Sequence, residues 1–147
     1  MDIRIRIAQK EDIPAIHQLV RELAIYEKEE AAFTATLEDY YQDFADHVFE
    51  AQVAIADNQV VGMILYYMTY STWKGKMLYL EDFVVQEAFR GKGIGQKLFD
   101  AYLDTARAKG CRLTKWQVLD WNQPAIDFYE KNKAIIEKEW WNAKIFL

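Results

Sequence analysis

The stretch Phe89–Gly95, FRGKGIG, places glycine at 91, 93 and 95 and sets Arg90 and Lys92 among them. An apolar run, Met77–Val85, precedes it. A helical pattern follows, with Ile94, Leu98, Phe99, Tyr102, Leu103 and Ala106, ending near Gly110. Strand, bare loop and helix in that order expose backbone N–H groups at the positive end of a helix, where an anion is favoured. Glycines let a phosphate approach with no Cβ in the way, and the two cations add charge. A dinucleotide fingerprint needs G-x-G-x-x-G, but residue 96 is Gln96; a P-loop needs a G-K-[S/T] frame, which Lys92 lacks. Two readings remain: a tight strand-to-helix turn, or a pyrophosphate cradle made by Arg90, Gly91, Lys92, Gly93, Ile94, Gly95 and Gln96.

Outward from the loop, the pattern predicts an α/β fold. Ile3, Ile5 and Ile7 alternate with arginines as a strand. Asp12 and Pro14 open a helix that runs to about Tyr26 on Ile13, Ile16, Val20, Leu23 and Ala24. Thr36 caps a second helix through about Ala45. Ala51–Ala56 and Val60–Tyr70 form a hairpin around Asp57-Asn58, and Lys74-Gly75-Lys76 turns into the strand 77–85. Leu113–Leu119 is a strand, Pro124 to about Lys131 a short helix, and Ala134–Leu147 two closing strands. The expectation is one domain over 1–147, with a mixed sheet of about six or seven strands and helices on both faces.

Composition removes several function classes. The net charge of −5 argues against a nucleic-acid partner and suits a cationic one. No apolar stretch reaches the length of a membrane span, and the amino terminus has no signal-peptide pattern. The single cysteine, Cys111, excludes an internal disulfide and suits a cytoplasmic location. His17 and His47 lack metal-ligand spacing, so no metal is expected.

The pattern R-x-x-G-x-G, carried by Arg90, Gly93 and Gly95, resembles the acetyl-CoA loop of the GNAT N-acetyltransferases. RELAIYEKEE, YYMTYSTWKGKMLYLEDFVV and DWNQPAIDFYEKNKA are similar, in that order, to the spermidine/spermine (diamine) N-acetyltransferase branch. The resemblance implies a splayed cleft between the strand before the loop and the next one, with the cofactor's pantetheine arm in the gap. It also implies a homodimer and a small amine substrate. Phe83, Val84 and Val85 would line the arm, and a backbone N–H of Phe83 or Val85 would polarise the thioester carbonyl.

An amine of pKa about 10.4 is almost wholly protonated at neutral pH and must lose a proton before it attacks. By resemblance, Glu81 takes that proton through water, Asp82 lies at the amine site, and Tyr129 protonates the departing thiolate. Adjacent strand positions face opposite sides, so Glu81 and Asp82 are expected to have different jobs. Asn122 either bonds the cofactor arm or caps the Pro124 helix, roles that do not exclude each other. Glu27 would attract a second ammonium, and Trp73 would offer it a cation–π contact. The branch carries an acid–proline pair where this chain has Ser71-Thr72, which shifts the expectation from long polyamines toward diamines or lysine-like amines such as thialysine. Trp140-Trp141 is read as buried packing rather than a cleft or dimer contact. Two rival functions stay open: a non-catalytic acyl-CoA-binding module, and acetylation of a protein amine.

Overall fold

The computed structural model describes Met1–Leu147. In chain order it contains β1 (Ile3–Ile7), α1 (Ile13–Tyr26), α2 (Leu37–Ala45), β2 (Glu50–Ala56), β3 (Gln59–Ser71), β4 (Gly75–Val85), α3 (Ile94–Ala108), β5 (Leu113–Lys115) and α4 (Gln123–Lys131). Short 3-10 turns lie at Lys10–Asp12, Glu30–Ala32 and Glu87–Phe89. The chain divides into two compact units, Met1–Trp116 and Gln117–Leu147.

The first unit holds the sheet, in the order β1-β2-β3-β4-β5. Its first three pairings are antiparallel and the last is parallel. β2 and the first half of β3 are buried nearly throughout, as strands covered on both faces must be. On one face Val53, Met63, Leu65 and Val84 meet Ile13, Ile16 and Leu19 of α1 in one core cluster, with Tyr40 and Phe44 of α2 packed against it. On the other face Gln52 Nε2 donates to Thr105 Oγ1 of α3 at 2.6 Å, and the Tyr66 and Tyr102 rings are 5.5 Å apart. A Cβ on Gly62 would stand 3.1 Å from the Val84 carbonyl oxygen and 3.3 Å from Leu98, so glycine there lets α3 lie close to the sheet. The β2–β3 turn falls on Asp57 and Asn58, both at positive φ, the backbone of a type I′ hairpin.

Helix starts follow their caps unevenly. Thr36 and Asp39 form a reciprocal capping box at α2, as its sequence suggests. Asp12 does not cap α1 with its side chain. Its carboxylate instead accepts two bonds from Arg6, at 2.7 and 3.0 Å, and one from the Gln9 N–H at 2.8 Å. That pairing holds the Asp12 carboxyl below the usual carboxylate range.

The second unit is built around α4. The Asn122 side chain accepts from the Ala125 N–H at its start, and Pro124 occupies the first turn, where its missing N–H costs nothing. Residues 134–147 contain no strand, and β5 ends at Lys115 rather than at 119, so the sheet has five strands instead of six or seven. The tail's large apolar residues come in adjacent runs, Ile135-Ile136, Trp140-Trp141 and Ile145-Phe146-Leu147, which gives no one-sided face to a strand of period two. Trp140 and Trp141 are 70% and 93% exposed, not buried packing.

Candidate active site

β4 carries the acidic pair, and its pairing pattern decides where the pair points. Leu65 of β3 is opposite Asp82, yet the next residue, Tyr66, is opposite Leu80. Glu81 is skipped and forms a β-bulge. Directly opposed residues share a face, so Asp82 lies on the face of Leu65, the α1 side. The Tyr67 hydroxyl, two residues on from Leu65, donates to Glu81 Oε1 at 2.6 Å. Consecutive acids therefore serve one face, which overturns the expectation that they face opposite sides. An extra residue in one strand breaks the alternation that reading relied on.

The acids also share one electrostatic neighbourhood. Burial, then Glu81, then Glu27 push the Asp82 carboxyl up to about 7. Glu27 is the residue that ends α1, and burial followed by the charge of Glu29 raises it as well. The Tyr40 hydroxyl of α2 is pushed up by burial and by both Asp82 and Glu81. Tyr67 is raised by burial and by its bond to Glu81. Asp82 thus feels the charge of Glu81 on its own strand and of Glu27 at the end of α1, with Tyr40 and Tyr67 beside the pair. Trp73 does not join them. It sits 85% exposed on the β3–β4 turn, and the six steps from Gly75 to Glu81 span about 20 Å of strand.

Beside this region one edge of β4 is open. β5 pairs with Met77–Tyr79 and then stops, while β4 continues to Val85. Beyond Tyr79, β4 therefore has no partner strand on that side alongside Phe83, Val84 and Val85. The glycine loop follows directly. Gly91 and Gly93 have φ near +75° and +79°, and a Cβ built on either meets nothing within 4 Å. Gly93 is the residue before α3, and no side chain caps that helix. Arg90 is more than a free charge: its Nε donates to the Val85 carbonyl at 2.9 Å and its guanidinium lies 5.7 Å from the Tyr26 ring centroid, tying the loop to β4 and α1. Lys92 Nζ lies 5.7 Å from the Phe89 ring centroid. Ile94 is buried in the first turn of α3.

Asn122 and Tyr129 belong to the second unit, where Asn122 fulfils the capping role and Tyr129 is buried on α4. Sequence reasoning missed Tyr67 and Tyr40. Each reads as an ordinary strand or helix residue, and only the cross-strand register and the helix placement bring them to the acids.

The site thus brings together a glycine loop at an uncapped helix start, a strand whose last residues have no partner strand on one side, and an acid pair on that strand. The chain belongs to the acetyltransferase (GNAT) family, whose model matches residues 13–133, and it is an N-acetyltransferase. It is 38% identical over 152 residues to the thialysine N-epsilon-acetyltransferase of Bos taurus, covering 95% of this chain and 89% of that protein. It is 36% identical over 141 residues to spermidine/spermine N(1)-acetyltransferase-like protein 1 of Homo sapiens, covering 90% of this chain and 20% of that one. Its fold matches that of an aminoglycoside N-acetyltransferase solved in complex with CoA, with a TM-score of 0.79, 17% identity and coverage of 97% and 95% of the two chains.

Proposed function

We propose that the protein transfers acetyl from acetyl-CoA to a primary amine of a small substrate that carries a second cationic nitrogen, by direct attack in a ternary complex. The observation that carries this reading is the bulge in β4, which turns Glu81 and Asp82 to one face, where Asp82 also meets the charge of Glu27. The open loop at Gly91 and Gly93 and the uncapped start of α3 fit a pyrophosphate. The backbone from Arg90 to Gln96 would hold that group, and Phe83, Val84, Val85 and Asn122 would hold the arm. Bound acetyl-CoA supplies a thioester carbonyl open to an amine nucleophile.

Glu81 accepts the ammonium proton at its carboxylate, through water, and so releases the nucleophile. By the family resemblance, Tyr129 Oη would deliver the proton that the leaving sulfur takes. A phenol of pKa about 10 can serve a thiol of pKa about 8.5 at modest cost. Asp82 and Glu27 hold the second cation. The name of the bovine relative and the loss of an acid at Ser71 both favour a lysine-like or diamine acceptor over a long polyamine. The resemblance to the diamine branch supports a homodimer.

One further charge-assisted contact is worth on the order of 1.5–3 kcal/mol, or roughly 10- to 150-fold in kcat/KM. Putrescine and thialysine should therefore exceed butylamine by that margin, and spermine should gain little more. Turnover of acetyl-CoA over this panel at fixed ionic strength decides it. Equal values for butylamine and putrescine would refute the acidic acceptor site, and a spermine lead above about tenfold would make this a long-polyamine enzyme.

A further inference from the structure

We propose that Tyr67 is a positioning residue for Glu81, fixing the carboxylate that accepts the amine proton; this rests on the acetyltransferase reading above. The bulge creates the need. Glu81 is left out of the β3–β4 register, so the ladder that fixes its neighbours does not fix it. Its side chain is also exposed, and an exposed glutamate has several rotamers to choose among.

Tyr67 removes that freedom from a rigid base. It lies directly opposite Tyr79, and their rings stack at 5.5 Å with 26° between planes. The same ring packs against the core cluster beneath α1. From there its hydroxyl reaches Glu81 Oε1 at 2.6 Å, the length of a strong bond to a charged acceptor. One carboxylate oxygen is thereby occupied and the other, Oε2, is left to take a proton. The Tyr67 hydroxyl is pushed well above its ordinary value, by burial first and by Glu81 second. It therefore stays protonated through neutral pH and acts as a donor, not as a second base.

Tyr67→Phe tests this, because it deletes the donor and keeps the ring. The expected result is a kcat lowered about tenfold or more, with acetyl-CoA affinity and the KM for amine within twofold of native. The loss should vanish when the same change is made in a Glu81→Gln background, since a residue that acts through another has no effect once that other is gone. Native kcat in Tyr67→Phe would overturn the proposal and leave the base role of Glu81 standing. Equal losses in both backgrounds would overturn it too, and would make Tyr67 a packing residue. Native turnover in Glu81→Gln alone would remove the base reading, and the role of Tyr67 with it. Tyr67→Leu, which also loses the stack, separates packing: a fall in melting temperature there but not in Tyr67→Phe is expected.

Discussion

Asp82 is an acid placed where ionisation is opposed by burial and by two neighbouring carboxylates. Its value of about 7, against about 3.8 in an unfolded chain, makes it a liability to the empty protein. Below about pH 4 both states hold the proton and folding bears no cost. As the pH rises from there to about 7, the unfolded chain releases its proton first, so stability falls; above that range the full cost is present. Asp82→Asn keeps the shape and cannot ionise. Its melting temperature should match native near pH 4 and exceed it by several degrees near pH 8, a gain on the order of a few kcal/mol. Thermal melts across that range check the prediction, and a pH-independent offset would contradict it. The same substitution should weaken the preference for a dicationic amine, because stability and acceptor binding draw on the one charge.

At the scale of elements, the loop and α3 are where sequence and structure agree most closely. Gly93 takes a left-handed conformation and faces open space, which explains why glycine there is worth its entropy. Gly93→Ala should cost about 1–2 kcal/mol of stability from its φ. It should also weaken acetyl-CoA binding about tenfold or more, since the added methyl stands where a phosphate would approach the backbone. Calorimetry on the folded variant measures it, and unchanged affinity would remove the phosphate assignment. The hairpin at Asp57-Asn58 and helices α1 to α4 were equally legible, because turn chemistry and apolar spacing are local. What was not legible depends on pairing. The bulge at Glu81, the Tyr67 bond and the early end of β5 are fixed by how one strand registers against the next, and LED reads as simple alternation until that register is known. The tail, 134–147, misled for the opposite reason: its residues have strand propensity, but their paired apolar positions give no buried face.

At the scale of the whole molecule, the net charge of −5 adds a long-range attraction to the local acids. Screening acts within about 10 Å at 0.1 M salt and about 3 Å at 1 M, so the advantage of a dication over a monoamine should shrink as salt rises. The ratio of kcat/KM for putrescine to that for butylamine, followed from about 0.05 to 0.5 M salt, should fall several-fold; a flat ratio would assign selectivity to shape alone. The open edge of β4 has a further consequence. An unpaired strand edge is a template for any extended chain, and proteins blunt such edges with bulges and charges to avoid aggregation. Here the unpaired stretch, Leu80–Val85, holds a bulge and two carboxylates at its head. The groups proposed for catalysis are thus also placed as gatekeepers, keeping the seam proposed for a slender cofactor from recruiting a stray strand instead.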